Sequence, residues 1–214
     1  MTSLPRRTPQ PARSYPHGPV VRAQPADIEI LSQVIADAFA DLPPSRWLIP
    51  DDDTRRQIFP GYFRIYVEHA MAAGTVHTTT DRAAAALWLP IKECPAGPPE
   101  DYDEQLAAAT GRWLERFRAF DATLAEHHPY GTAHRHLAIL AVRPDNQGRG
   151  TGSRLLRAGH DTLGQHGTPA YLEAATLRTT RLYQRHGYAV RPGGPFCLPN
   201  GGPTMWPMWR EPQQ

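Results

Sequence analysis

The residues best placed to do chemistry lie in Gln147-Gly148-Arg149-Gly150-Thr151-Gly152-Ser153, where three glycines fall within five positions. Glycine adopts backbone conformations closed to other residues and lets a ligand approach the main chain closely. An apolar run over 136–142 precedes this loop, and a helical pattern over about 150–165 follows it. A helix start offers unpaired N–H groups and the positive end of the helix dipole. Strand, glycine turn and helix together therefore make a cradle suited to an anion such as a diphosphate. Arg149 can add a charge-assisted contact to it.

Two other phosphate sites compete for this loop. A Walker loop requires a lysine before its Ser/Thr, and the segment contains none. A dinucleotide fingerprint fits in part, since Gly148-x-Gly150-x-x-Ser153 lacks only the last glycine and Glu173 follows at about the distance of a ribose-binding acid. Against it, Pro144-Asp145-Asn146-Gln147 separates strand from glycines, and the sixty or so residues that remain are too few for further βαβ units. Asp51-Asp52-Asp53 has the look of a cation site but reads better as a solvated turn capping the next helix. Cys94 and Cys197 belong to no Cys/His cluster, so they read as free thiols and no metal is expected. His136 reads as a surface histidine at the start of its strand.

The elements that must hold the loop follow from periodicity. Residues 1–19 are Pro-rich and read as a disordered tail, which leaves 20–214 as one domain. Val20–Ala23 forms a short strand, and Asp27 caps a helix carrying Ile28, Leu31, Val34, Ile35, Ala38 and Phe39 that ends at Pro43-Pro44. A second helix spans about 53–73, with a kink or break expected at Pro60-Gly61. Thr75–Thr80 and Ala83–Leu89 form a hairpin closed by Pro90, and 91–101 is a loop. A helix from Tyr102 to about Glu126 is open to division at Gly111. Beyond the glycine loop come a strand at Ala170–Ala174, a helix at Thr179–His186 closed by Gly187, and strands at Tyr188–Val190 and Thr204–Trp209. This order predicts a mixed α/β fold with one parallel step between about 137 and 174.

Composition narrows the function classes. With 40% hydrophobic and 21% charged residues and a net charge of +2, the chain reads as a globular protein. No Lys/Arg cluster is interleaved with aromatics, so nucleic acid is not an expected partner. No apolar run approaches the ~18 residues of a membrane span. The N-terminus lacks the apolar core of a secretory signal, and a cytoplasmic location is expected.

The stretch Leu140-Ala-Val-Arg-Pro-Asp-Asn-Gln-Gly-Arg-Gly-Thr-Gly-Ser153 resembles motif A of the GNAT acetyltransferase superfamily. Tyr171-Leu-Glu-Ala174 and Leu182-Tyr-Gln-Arg-His-Gly-Tyr188 are similar to the family's next strand and its tyrosine-bearing helix end. This similarity is strong over 134–192. Ala38-Phe-Ala-Asp-Leu-Pro-Pro44 and Ala86-Leu-Trp-Leu-Pro90 resemble, more weakly, the branch containing puromycin N-acetyltransferase.

The resemblance implies a mixed sheet of about six or seven strands with helices on both faces, and acetyl-coenzyme A as cosubstrate with no metal. It implies that Leu140, Ala141 and Val142 pair with the pantetheine arm, and that Gln147, Gly148, Arg149, Gly150, Thr151, Gly152 and Ser153 hold the diphosphate. A backbone N–H near Val142 would stabilise the oxyanion. Tyr183 would be the acid that protonates the leaving thiolate, and Glu173 the base that takes a proton from the amine. For Glu173 a purely structural role, capping the next helix, stays open. The Asn that many relatives carry ahead of the tyrosine is absent from Thr176-Leu-Arg-Thr-Thr-Arg181, so no residue there is assigned.

The implied function is transfer of an acetyl group to a primary amine, such as an antibiotic or other secondary metabolite, through a tetrahedral intermediate. A non-catalytic acyl-CoA sensor and a protein N-terminal or lysine acetyltransferase are the alternatives. A homodimer is left open. The acceptor site is expected from the helices at about 28–73, the 91–101 loop and 192–209; Trp47, Trp88, Tyr62 and Trp206 are candidate walls, though each reads better as ordinary core.

Overall fold

The computed structural model describes residues 18–93, 101–164 and 167–212. The tail at 1–17, most of the 91–101 loop and Cys94 therefore lie outside the described residues. Strands β1 (Val20–Arg22), β2 (Thr75–Thr79), β3 (Ala84–Ile91), β4 (His134–Val142), β5 (Ala170–Ala174), β6 (Ala189–Val190), β7 (Phe196–Cys197) and β8 (Thr204–Arg210) alternate with seven α-helices among the described residues. The helices are α1 (Ile28–Phe39), α2 (Pro43–Leu48), α3 (Asp52–Ala73), α4 (Tyr102–Thr110), α5 (Leu114–His127), α6 (Thr151–Gly164) and α7 (Leu177–Gln184). The sheet runs β1-β2-β3-β4-β5-β8-β6, with β7 paired to β8, and β4–β5 is its parallel step. It has one strand more than the upper expectation, because the two-residue β7 carries no periodicity to read.

The helices cover both faces. On one, α1 to α5 pack Leu31, Ile35, Phe59, Phe63, Leu106 and Phe117 against Ala85, Leu87, Ile139 and Ala141. On the other, α6 and α7 bring Leu155, Leu156 and Tyr183 against Ala84, Ala86, Trp88, Leu137 and Leu172.

A bulge sits where β3 and β4 meet. Leu87 pairs with Ile139 but Trp88 pairs with Leu137, so Ala138 is the extra residue. An uninterrupted strand puts residues two apart on the same face. Here Leu137 and Ile139 enter opposite cores. The bulge thus reconciles two apolar faces and adds local twist to the strand that leads into the glycine loop.

Several local expectations are corrected. Asp27 precedes α1 but does not cap it; its carboxylate accepts from the Gln24 N–H and pairs with Arg82 at 2.9 Å. Pro43-Pro44 does not follow a helix directly but opens α2, with proline in the first turn where its missing N–H is harmless. Pro60 does not split α3, which is assigned as one helix over 22 residues. Phe59 and Phe63, buried on either side of it, hold the segment to the core. Pro90 does not close β3; it pairs with Arg135 inside the strand. The pairing of β2 with β3 has already ended at Trp88, so proline occupies a locally free edge. Asp51 caps α3 as expected, accepting from Thr54 N–H at 2.8 Å. Gly111 divides α4 from α5 through a short 3-10 turn.

One buried cation ties the helices that frame the site. Arg55 on α3 is fully buried and donates to the carbonyls of Ala40 and Ile49, both at 2.6 Å, and to Pro50 at 3.2 Å; Asp52 is its ionic partner. Ala40 and Ile49 terminate α1 and α2, where carbonyls lack intrahelical partners and the dipole end is negative. Arg55→Met is therefore expected to lower stability by about 3 kcal/mol, because the buried carbonyls lose their donor. Arg55→Lys should recover little, since one ammonium cannot replace the planar fork. Urea unfolding of the three proteins checks both outcomes.

Candidate active site

The parallel pair β4–β5 is joined only at its start. Arg135 aligns with Ala170 and His136 with Tyr171, and the pairing then stops. From Ala84 to Ile91 β3 holds the other edge of β4, while β8 holds β5 from Ala170 to Ala174. The two half-sheets diverge, and the β5-facing edge of Leu137–Val142 is left without a strand partner. A cavity of about 820 Å³ occupies the gap and is lined by Leu140, Ala141 and Val142.

The glycine loop forms one end of this cavity. Gly148 and Gly150 have φ of +77° and +81°, the left-handed region that favours glycine. A Cβ at either would meet nothing within 4 Å, so the space above them is open. Gln147 anchors the loop by donating its side-chain amide to the Val142 carbonyl at 3.1 Å. Thr151 opens α6, and its buried hydroxyl has no hydrogen-bond partner. Buried hydroxyls are ordinarily paired, so this one points to a missing acceptor. Open space, an unpaired strand edge and an unsatisfied donor at a helix N-terminus fit a diphosphate on an extended arm.

Of the residues expected to hold that ligand, Leu140, Ala141, Val142, Gln147, Gly148, Gly150, Thr151, Gly152 and Ser153 line the cavity. The Ser153 hydroxyl is already bonded to His186 at 2.9 Å. Arg149 is exposed and is not part of the lining. Cationic lining comes instead from Arg178, Arg181 and Arg185 on and just after α7. Their three- and four-residue spacing places them on one face of a helix, a stripe legible in the sequence but not used there.

Tyr183 lines the cavity from α7. Its position is locked by the helix end: Gly187 has φ of +85°, and the Tyr188 N–H donates to the Tyr183 carbonyl at 3.2 Å. Burial pushes its phenol above the ordinary range, which keeps it protonated. Thr176 caps α7 by accepting from the Thr179 N–H at 3.1 Å. The Thr179 and Thr180 hydroxyls are spent on the carbonyls of Thr176 and Leu177, both at 2.8 Å.

Because Thr176 supplies the cap, Glu173 does not. Its side chain is 7% exposed and accepts a 2.8 Å hydrogen bond from His136 Nε2. Burial would push this carboxyl up, but His136 and His128 beside it outweigh that and hold it well below the usual carboxylate range. His136 is not the surface residue expected: its side chain is 16% exposed, and it lines the cavity together with Glu173.

The far end of the cavity is aromatic. Phe39, Phe59, Tyr62, Phe63, Tyr66 and Phe120 line it. Tyr62 is the one expected wall residue found there. Trp88 packs into the core against α6, and Trp47 and Trp206 are not in the lining. The tyrosines are fixed by a half-buried chain: Tyr62 donates to Tyr66 at 3.1 Å, Tyr66 and Tyr102 share a 3.0 Å bond, and Tyr102 donates to Asp121 at 2.7 Å. Nothing in the sequence spacing links these four.

Residues 117–190 match the acetyltransferase (GNAT) domain family. A solved histone acetyltransferase and related acetyltransferase from Corynebacterium glutamicum is 26% identical, with a TM-score of 0.68 over 92% of this chain and 97% of that one. Arylalkylamine N-acetyltransferase 2 from Aedes aegypti is 12% identical with a TM-score of 0.62, over 91% of this chain and 98% of its own. The polyamine N-acetyltransferase of Drosophila melanogaster is 16% identical with a TM-score of 0.50, over 90% and 99%. The fold is the GNAT fold, and residues 117–190 are the part that matches the acetyltransferase family model.

The Asp121 carboxyl is raised by burial to about 6, despite the hydroxyls that donate to it. A carboxyl raised in the folded state stabilises most below its unfolded value near 3.9, and that contribution is lost as pH rises through about 6. The stability of wild type relative to Asp121→Asn is therefore expected to fall by roughly 2–3 kcal/mol between pH 4 and 7. Denaturant midpoints of the two proteins across that interval check it.

Proposed function

We propose that this protein transfers the acetyl group of acetyl-coenzyme A directly to the primary amine of a small molecule with an apolar or aromatic body. The observation that carries the reading is one continuous cavity. It runs from the open glycine cradle and unpartnered Thr151 hydroxyl, along the free edge of β4, to an aromatic chamber. The main-chain amides of Gly148–Ser153, with Arg178, Arg181 and Arg185 nearby, receive the diphosphate. The free edge of β4 pairs with the pantetheine arm as an added strand would. A main-chain N–H of that edge donates to the thioester oxygen as charge develops on it.

The amine must be neutral to attack. With a single ring proton on Nε2, donated to Glu173, His136 keeps a lone pair on Nδ1. The pair can therefore take the amine proton on the imidazole, with the carboxylate stabilising the imidazolium. The nitrogen adds to the thioester carbon, the C–S bond breaks as the tetrahedral intermediate collapses, and Tyr183 protonates the departing sulfur. The products are the N-acetyl amine and free coenzyme A. The aromatic chamber favours acceptors with a ring or a short hydrocarbon body, which is consistent with an antibiotic or other secondary metabolite and with the branch suggested by the first-half motifs.

The test is release of free thiol from acetyl-coenzyme A in the presence of arylalkyl, polyamine and lysyl-peptide acceptors. Turnover is expected with aromatic amines; silence across the panel, or turnover confined to the peptide, overturns the small-molecule reading. Tyr183→Phe is expected to lower kcat about 100-fold with KM little changed, and Glu173→Gln to do the same. Gly150→Glu puts a side chain and a negative charge where the diphosphate sits. It is expected to abolish acetyl-coenzyme A binding in calorimetry while its melting shows a folded protein.

A further inference from the structure

Beyond the pair assigned to proton transfer, the same corner of the fold holds two more imidazoles. We propose that His128, His136 and Glu173 form a three-ligand seat for a borderline divalent cation of the Zn²⁺ type, opening onto the cavity. One nitrogen from each histidine and a carboxylate oxygen all lie within 4.8 Å of one another. Zinc bound at 2.0–2.2 Å by tetrahedral N and O ligands spaces them about 3.4 Å apart. The distances present straddle that value: 2.8 Å from His136 Nε2 to Oε2, and 3.8 Å from His128 Nδ1 to Oε1.

The hydrogen-bond chain behind the cluster fixes its tautomers. His134 Nδ1 lies 2.7 Å from the Thr132 carbonyl, which only accepts, so that nitrogen carries the proton. With its proton on Nδ1, the His134 ring offers the lone pair of Nε2 as an acceptor. His128 Nε2, 3.1 Å away, is therefore the donor. With that proton on Nε2, His128 presents the Nδ1 lone pair toward Glu173 Oε1 at 3.8 Å. That oxygen is buried and has no hydrogen-bond partner. Two acceptors face each other across a gap too long for a hydrogen bond. A cation fits between them.

The donor set of two imidazoles and one carboxylate suits zinc. His134 supplies the outer contact that orients a liganding imidazole through its other nitrogen. His136 must move its proton from Nε2 to Nδ1 to bind through Nε2, a change of tautomer that leaves the number of protons unchanged. His136 and Glu173 both line the cavity, so the fourth position faces the acceptor. An ion seated there occupies the groups that would take the amine proton, and acetyl transfer stops. This blocking effect rests on the acetyl-transfer reading; the seat itself does not.

Equilibrium dialysis of the full chain against Zn²⁺, with Co²⁺ absorption as a second readout, tests the seat without any turnover. One equivalent is expected to bind, with a visible d–d band from cobalt. His128→Ala and Glu173→Gln should each weaken Zn²⁺ binding at least tenfold while unchanged melting shows both folded. Inhibition of wild-type thiol release by Zn²⁺, reversed by a chelator and shifted to higher metal in His128→Ala, supports the blocking role. The proposal is overturned if the wild type takes up no zinc, or if uptake survives both substitutions. Zinc uptake without thiol release under any condition leaves the seat standing and counts against acetyl transfer instead.

Discussion

Everything functional in this molecule depends on a sheet that comes apart in its middle. Only Arg135 and His136 of β4 align with Ala170 and Tyr171 of β5. Each strand then follows its other neighbour, β4 with β3 and β5 with β8. A free edge inside a sheet leaves N–H and C=O groups unpaired where strands would normally satisfy them. Such a fault persists only where the rest of the architecture over-determines it. Here the two cores do so, since Ile139 and Ala141 are held by the α1–α5 face while Leu172 and Ala174 are held by α6 and α7. The bulge at Ala138 is the point at which β4 commits to that divergence.

The split also explains why the groups proposed to bind the cofactor and to handle the proton meet. The last paired residues of β4 and β5, His136 and Tyr171, mark the apex of the gap. Glu173 is two residues further along β5, so it lies on the same side as Tyr171 and reaches back to His136. The glycine loop lies at the open end, after β4 has run its remaining six residues from Leu137 to Val142. In the proposed reading, an extended arm laid along β4 would be held by its charged end at the loop and directed with its other end toward Glu173.

Much of this was legible in the sequence, for identifiable reasons. The glycine loop is local: three glycines between an apolar run and a helix pattern specify their own geometry, and nine of the ten residues expected to hold the cosubstrate line the cavity. Gly187 as a helix stop is equally local. What escaped was decided by tertiary contacts. Asp27 became the partner of Arg82, 55 residues away, rather than a cap. Pro90 stayed in a strand because β2 ends before reaching it. His136 reads as exposed from its neighbours and is largely covered because β5 brings Glu173 against it. The Tyr62–Tyr66–Tyr102–Asp121 chain joins α3, α4 and α5, and no periodicity within one helix encodes such a meeting.

The two ends of the cavity make opposite demands, and in the proposed reading these restrict what can be acetylated. At the loop, main-chain amides and the α7 arginines favour negative charge. At the chamber, six aromatic rings offer little to an ion beyond their π faces, and the nearest carboxyl of the tyrosine chain, Asp121, is occupied by the Tyr102 hydroxyl. A permanently charged acceptor would find no free carboxylate there among the described residues to offset its desolvation. An amine that arrives as an ammonium and gives up its proton at the His136–Glu173 pair avoids that penalty, because it is neutral before its body settles among the rings. Selection by the chamber and deprotonation at the apex are thus one physical requirement.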